Sequence, residues 1–254
     1  MILRRLSQSI KQQNWTAIWI EFILLVSGVF LGIQVANWNE ESHDRQNERE
    51  YLDRLNVELA SILPLAKAEH EHLQEQGALI ESLRSFLASG QGADKLDEKH
   101  CIAVGRSHIY AATIFYPPTI KELISTGRIL LIREPAVRAA IMSFDQTHTE
   151  LTQLRTDIQI DRKVLARYYP ELIDSGLSAD WKGAVCDFEG MRSNLAFRND
   201  FTDNMRRYRA YTAEIGQRQV RAVEALATAL DYSASGKSVQ STNAPDSKNE
   251  GAVK

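Results

Sequence analysis

Residues 15–41 form the most apolar stretch of this 254-residue chain and read WTAIWIEFILLVSGVFLGIQVANWNEE. Within it, residues 17–36 contain only two strongly polar side chains, Glu21 and Gln34. A helix of this length spans roughly 30 Å, which matches the hydrocarbon core of a bilayer. The sequence therefore predicts a transmembrane helix over residues 15–38.

Tryptophan side chains mark both ends of this segment, with Trp15 and Trp19 near its start and Trp38 at its end. Aromatic rings of this kind favour the lipid–water interface. A cleaved signal peptide is the alternative. It fits poorly, because Glu21 interrupts the apolar region and no pair of small residues follows at the required spacing. We interpret the segment as an uncleaved signal-anchor.

The orientation of this anchor rests on basic residues. Residues 1–14 carry Arg4, Arg5 and Lys11 without any acidic residue, whereas the basic residues of the other flank begin at Arg45. Basic residues concentrate on the cytoplasmic side of a membrane. We therefore expect a single-pass protein of the bacterial inner (cytoplasmic) membrane, with its N-terminus in the cytoplasm and its main domain in the periplasm.

One stripe of the predicted transmembrane helix combines an acid with small residues. At 100° per residue, Glu21, Gly28 and Gly32 fall within about 20° of one line, and Leu25 lies close to it. The two glycines form a GxxxG motif, which lets two helix backbones approach closely. This stripe predicts a contact face for self-association or for another membrane protein.

Two alternatives to this contact face stay open at the sequence level. Glu21 lies only about one turn inside the expected boundary, so its carboxyl group can reach the headgroups or remain protonated. GxxxG also occurs by chance in apolar helices. A proton or ion pathway is not expected, because one helix cannot enclose it.

Beyond the membrane, apolar residues recur at steps of three and four, which is typical of amphipathic helices and coiled coils. The first pattern comprises Leu52, Leu55, Leu59, Ile62, Ala66, Glu69, Leu73, Gln76, Ile80, Leu83 and Leu87. Pro64 predicts a kink or a division of this helix. Gly90 and Gly92 predict its end.

Three further helices are expected after this one. A short helix begins near Pro118 and stops at Thr126-Gly127. A second long helix begins near Glu134-Pro135 and continues to Leu172, before Gly176. The last long helix covers residues 192–230. Two segments lack a helical period: the section 94–118 and the linker around Trp181, Gly183 and Cys186.

The fold class is therefore all-α: an N-terminal transmembrane helix followed by a bundle of three long helices with short ones. An extended oligomeric coiled coil is the alternative, but turns near residues 90, 127 and 176 favour folding back. Four segments result: a cytoplasmic N-terminus (1–14), the transmembrane helix (15–38), an extracytoplasmic helical domain (39–232) and a disordered tail (233–254).

The chain contains two cysteines, Cys101 and Cys186, and both lie outside the periodic segments. In an oxidising compartment they can form a disulfide bond, which would close a long loop and stabilise the fold by roughly 4–5 kcal/mol. In a reducing compartment they would remain free thiols. Because we expect a periplasmic domain, we favour the disulfide.

Motifs for catalysis, metals or cofactors are not found in the sequence. In His70-Glu71-His72 the two histidines point apart on a helix. His100 and His108 with Cys101 lack further ligands nearby. The net charge is −3 and the pI is about 6.1, so the chain lacks the excess of basic residues that is typical of nucleic-acid-binding proteins. We expect no enzyme, no metal, no cofactor and no nucleic-acid partner.

Two blocks of sequence resemble a family of bacterial membrane-anchored proteins of unknown function. The first contains Glu21, Gly28 and Gln34 and ends in the tetrapeptide Asn37-Trp38-Asn39-Glu40, which would form an interfacial motif. The second is ELISTG at residues 122–127, followed by Leu131, Ile132 and Arg138. The resemblance implies an N-terminal anchor and a helical soluble part, and it implies no activity.

These observations predict a bitopic, non-enzymatic protein with a role in interaction, scaffolding or assembly. The alternative is an extracytoplasmic ligand-sensing module that works with a separate membrane partner, since helical bundles can hold small molecules between their helices. A third hypothesis is an enzyme that uses scattered histidine and acidic residues, and no spacing of these residues in the sequence supports it.

Overall fold

A computed structural model describes residues 15–110 and 113–234, and 79% of these residues are helical. The predicted all-α class is therefore confirmed. The chain divides into two compact units, Met1–Tyr51 and Leu52–Lys254. The predicted segment 1–14 and nearly all of the predicted tail lie outside the described residues.

The helices follow one another with short connections. In chain order they are α1 Trp15–Ser89, α2 Glu98–Gly105, α3 Pro118–Ser125, α4 Pro135–Gln159, α5 Leu165–Tyr168, α6 Phe188–Ser193, α7 Leu195–Ala210 and α8 Arg218–Ala234. A π-helix, Tyr211–Gln217, joins α7 to α8. Two 3₁₀ helices cover Ala93–Lys95 and Arg128–Leu131, and the two strands are β1 Ile173–Asp174 and β2 Val185–Cys186.

The part of α1 that belongs to the second unit buries its predicted apolar seam. None of the eleven positions from Leu52 to Leu87 is exposed, and Leu55, Leu73 and Leu83 are almost completely buried. The helix ends at Ser89. Gly90 follows with a φ of 71°, a left-handed conformation that glycine adopts without steric cost.

The predicted division of this helix at Pro64 is wrong, because α1 continues through Pro64. Proline removes one backbone hydrogen bond and frees the carbonyl of the residue four positions earlier, Ala60. Both residues are exposed in the structure. Solvent can therefore satisfy the freed carbonyl, and the helix tolerates the proline.

The C-terminal helices run antiparallel to α1 within the second unit. Lys67 pairs with Glu224 at 2.7 Å, and further along α1 Gly77 faces the ring of Tyr208. Residue numbers thus rise along α1 while they fall along the C-terminal helices. Arg218 pairs with Glu150 of α4 at 2.7 Å and Arg207 Nη1 donates to the Ile158 carbonyl at 3.2 Å, so α4 is antiparallel to the same helices.

The second long helix ends thirteen residues before its predicted end at Leu172, because α4 stops at Gln159. Asp161 then adopts a left-handed conformation, with φ 59°. The Arg207 guanidinium also donates to the carbonyl of Ile160 at 2.5 Å, which satisfies a backbone group that the ending helix leaves free. This tertiary contact replaces the continuation that the pattern predicted.

A buried asparagine holds the chain in place after this turn. The Asn204 side chain accepts from the Lys163 amide at 3.0 Å and donates to the Lys163 carbonyl at 2.7 Å. It also donates to Ser107 Oγ at 3.1 Å. Asn204 is completely buried, and these three bonds satisfy its polar atoms.

The last long helix is interrupted at two places that periodicity did not predict. Asn194 separates α6 from α7, and its side chain caps α7 by accepting from the Phe197 amide at 3.0 Å. Further on, the π-helix Tyr211–Gln217 widens the turn. Buried residues then recur every fourth position, as at Tyr211, Ile215, Gln219 and Val223, instead of at alternating steps.

The linker predicted to be irregular forms a small hairpin that packs on α2, a helix that the sequence did not predict. Strands β1 and β2 pair antiparallel. One face of α2 contacts the hairpin: Glu98 accepts from the Gly183 amide at 2.5 Å, and Cys101 is bonded to Cys186. A Cβ at Gly105 would lie 2.0 Å from the ring of Trp181, so only glycine fits there.

Two glycine-to-alanine substitutions should change stability in opposite directions. Gly105→Ala forces Trp181 away from α2 and should lower the free energy of unfolding by about 1–3 kcal/mol. At Gly77 an added Cβ would lie 3.7 Å from the Tyr208 ring, which is ordinary van der Waals contact. Because alanine favours a helix more than glycine does, Gly77→Ala should raise the free energy of unfolding by about 0.5–1 kcal/mol. Urea unfolding followed by circular dichroism measures both, and equal effects would contradict the packing described.

Candidate functional site

The first unit contains an apolar helical segment whose side chains, from Trp19 to Glu40, are all exposed among the residues that the structure describes. In the part of the chain that the structure describes, α1 is the one helix long and apolar enough to cross a membrane. Its most apolar window has a mean hydropathy of 2.0, and none of that window is buried. The segment therefore presents an apolar surface on all sides, as a lipid-facing helix does.

The predicted contact face lies on one side of this segment. Because α1 is an uninterrupted helix here, Glu21, Leu25, Gly28 and Gly32 follow one another at steps of three and four along one line. Leu25 is 65% exposed, and a Cβ added at either glycine would meet nothing within 4 Å. The surface at the glycines is thus open to a second helix.

The tetrapeptide Asn37-Trp38-Asn39-Glu40 lies inside α1 and not at its end. All four side chains are exposed, and Trp38 is 74% exposed. The helix continues beyond it without a break. The interfacial motif is therefore a change of side-chain polarity along one helix, from apolar to polar, and its role at the membrane surface stays a prediction.

Cys101 and Cys186 form a disulfide bond, with their Cα atoms 5.6 Å apart. The bond joins α2 to β2 across 85 residues of sequence. It lies in the second unit and is separate from the contact face. Its place in the fold is structural, because it fixes the hairpin on α2.

Polar contacts that sequence reasoning missed attach the segment 113–119 to the long helices. Glu58 of α1 accepts from the Thr119 amide at 3.1 Å and from Thr119 Oγ1 at 2.7 Å. From α8, the buried Gln219 donates to the Thr113 carbonyl at 2.8 Å and accepts from the Phe115 amide at 3.0 Å. Each of these groups comes from a different part of the sequence, so spacing gave no sign of them.

Two histidines have depressed pKa values. His148 stacks on Tyr116 with ring centroids 4.2 Å apart, and burial lowers the pKa of His148. Tyr116 Oη donates to Asp145 at 2.5 Å; burial, and then this hydrogen bond, raise the pKa of Tyr116. Burial, and then the charge of Arg162, lower the pKa of His108.

A cleft with a basic rim lies between α1 and α7. Its volume is about 480 Å³, and we call it the arginine cleft; it is lined by Arg84, Leu87, Arg198, Phe201, Met205 and Arg206, among others. Arg198 and Arg206 of α7 line the cleft from positions eight apart, together with the buried Phe201 and Met205. This spacing was visible in the sequence, but the facing residues of α1 were not.

No cluster of three or more metal-ligating side chains exists within residues 15–110 and 113–234. His70 and His72 point to different neighbours, since His70 lies against Gly216 and His72 borders a small cavity beside Ala103. His100 Nδ1 lies 2.6 Å from Asp97 Oδ1, so its role is to cap the start of α2.

No family model, curated protein or solved structure matches this chain. The resemblance carried by Glu21, Gly28, Gln34 and the tetrapeptide at residues 37–40 therefore stays a prediction.

The depressed histidine pKa values predict lower stability in mild acid. Below the ordinary histidine pKa of about 6.5, the unfolded chain binds protons at His108 and His148 that the native protein does not bind. The free energy of unfolding should therefore fall as the pH is lowered from 7.5 to 5.5. Urea unfolding at both pH values measures it.

A double substitution identifies the residues responsible. His108→Gln with His148→Gln should reduce the difference in the free energy of unfolding between pH 7.5 and pH 5.5, because the titrating groups are removed. This holds whatever the effect of the substitutions at pH 7.5. The exposed His72 serves as a control, and His72→Gln should leave the difference unchanged. A pH dependence that persists in the double variant would contradict this assignment.

Proposed function

We propose that this chain is a bitopic, non-enzymatic membrane protein that acts in interaction, scaffolding or assembly. Its transmembrane helix associates with a second copy or with another membrane protein through the face formed by Glu21, Leu25, Gly28 and Gly32. The observation that carries the proposal is the open surface of this face, where a Cβ added at Gly28 or Gly32 would meet no other described group within 4 Å.

The chemistry of the face suits a helix partner in lipid. Hydrocarbon tails are as apolar as leucine, so helices associate through close van der Waals packing and hydrogen bonds instead of hydrophobic burial. Gly28 and Gly32 permit the close approach. A carboxyl group at Glu21 on the same face gains by bonding to a polar group of the partner, because it has few other partners in hydrocarbon.

We further propose that the protein is anchored in the bacterial inner membrane with its N-terminus in the cytoplasm. Arg4, Arg5 and Lys11 lie in a short N-terminal flank without acidic residues, whereas the basic residues of the other flank begin at Arg45, and this difference supports the orientation. The bond between Cys101 and Cys186 agrees with it, because disulfides persist in the periplasm and are rare in the cytoplasm.

Bulky substitutions at the glycines should weaken association of the transmembrane helix. Gly28→Ile with Gly32→Ile separates the two backbones, and the loss of packing should cost about 1–2 kcal/mol, or roughly five- to thirtyfold in the association constant. A bacterial transmembrane reporter assay of residues 15–41 measures this signal.

The control places similar side chains on the opposite side of the same helix. Val26→Ile with Phe30→Ile lies about 140–180° away from Glu21 and should leave the reporter signal close to its original value. The proposal fails when the glycine variant associates as strongly as the original segment, or when both double variants lose association equally.

Topology mapping tests the orientation. Alkaline phosphatase is active only in an oxidising compartment, so a fusion after residue 234 should be active, and green fluorescent protein exported unfolded at the same position should not fluoresce. Substitution of Arg4, Arg5 and Lys11 by Asn should reduce the phosphatase activity, because it removes the basic residues of the cytoplasmic flank. A fluorescent, phosphatase-inactive fusion of the unaltered chain would reverse the orientation.

A second candidate function is ligand sensing by the helical domain, together with a separate membrane partner. The arginine cleft favours it, since its volume of about 480 Å³ falls within the range of small-molecule sites.

A further inference from the structure

The floor of the arginine cleft is apolar and built from the core. Leu87 of α1 and Phe201 and Met205 of α7 are 7%, 1% and 5% exposed. Their small exposed surfaces face the cavity of about 480 Å³. Leu195 adds a further apolar side chain at the border of the cleft, and it is 62% exposed. A ligand body that packs here must be apolar.

The rim of the cleft carries more positive than negative charge. Arg84 donates to Glu81 of its own helix at 2.7 Å, so its charge is largely offset. Arg198 and Arg206 form no ion pair with any carboxylate in the described residues. Two arginines thus face the cleft without a counter-charge, which favours an anion.

One of these arginines has an unsatisfied donor. The Nε atom of Arg198 is buried and has no hydrogen-bond partner among the residues that the structure describes. A buried guanidinium N–H that lacks an acceptor is costly, and native proteins rarely leave one unpaired. Because Nε has almost no exposed surface, an acidic oxygen in the cleft would reach it only after the Arg198 side chain shifts, and it would then form a charge-assisted bond.

We propose that the arginine cleft binds an amphiphile with an anionic head and a hydrocarbon chain. The carboxylate or phosphate group accepts hydrogen bonds from Arg198 and Arg206, and the chain packs over Leu87, Phe201 and Met205. A free fatty acid and an anionic phospholipid share this chemistry. The inference names the ligand class for the sensing function proposed above, and it does not depend on association of the transmembrane helix.

Other ligand classes fit this cleft less well. A zwitterionic headgroup would place its cation beside two unpaired arginines, and Glu81 is already bonded to Arg84. A fully polar anion such as a sugar phosphate would leave the floor of Leu87 and Phe201 uncovered. The combination of apolar floor and basic rim therefore selects an anionic amphiphile.

Photo-crosslinking tests this proposal on the full chain, solubilised in an uncharged detergent that does not compete for the arginines. The probes carry a diazirine in an acyl chain, and they are palmitate, phosphatidylglycerol and, as zwitterionic comparison, phosphatidylcholine. Mass spectrometry of the digested protein locates the label. We expect palmitate or phosphatidylglycerol to label peptides containing Leu87, Phe201 or Met205 at least about tenfold more than phosphatidylcholine. The anionic probe that labels more strongly identifies the source of the ligand.

Variants separate recognition of the anion from folding. Arg198→Gln with Arg206→Gln should reduce labelling by the anionic probes at least about tenfold, because two charge-assisted bonds are lost. Ala88→Trp fills the cleft from an exposed position and should also reduce labelling. Arg221→Gln removes an exposed arginine of α8 outside the cleft and should leave labelling unchanged.

Circular dichroism verifies that each variant remains folded, and Ala88→Trp provides the test if the double arginine variant does not. Equal labelling by phosphatidylcholine overturns the proposal. Labelling that maps outside the cleft, or that persists in folded Arg198→Gln with Arg206→Gln, overturns it as well. None of these results would affect the transmembrane association, which is measured on another segment.

Discussion

Burial of the apolar seam of α1 between Leu55 and Leu87 is the constraint on which the second unit depends. The seam runs for roughly 50 Å, and α4, with 25 residues, spans only roughly 37 Å. No single helix of that length can cover it. The nearly continuous helices from Leu195 to Ala234 run antiparallel to it, and α3 covers its beginning, where Glu58 receives two hydrogen bonds from Thr119.

Periodicity predicted the elements that have one uniform apolar face. It gave the seam of α1, and the positions of proline and glycine gave the start of α4 at Pro135 and the helix from Pro118 to its stop at Gly127. It failed where a distant group decides the local structure. The end of α4 depends on Arg207, whose guanidinium satisfies carbonyls some 47 residues away in sequence. The π-helix inserts a wider turn, which a search for steps of three and four does not detect.

The two candidate sites differ in how far a sequence can reveal them. The stripe of Glu21, Gly28 and Gly32 lies on one helix, so its geometry follows directly from 3.6 residues per turn. The arginine cleft lies between helices, and its existence depends on the antiparallel pairing of α1 with α7. Arg198 and Arg206 read alone indicate only a solvated face. They become a candidate site because Leu87 of α1 lies beneath them.

The disulfide and the membrane orientation depend on each other. In a reducing compartment the bond between Cys101 and Cys186 would be lost, and with it roughly 4–5 kcal/mol of loop-closure stabilisation. That is a large share of the 5–15 kcal/mol typical of a folded domain. The hairpin would then rest on the contact of Gly105 with Trp181 and the bond of Glu98 to Gly183. Folding of the second unit is therefore most favourable on the oxidising side of the membrane, which is the side that the basic N-terminal flank predicts.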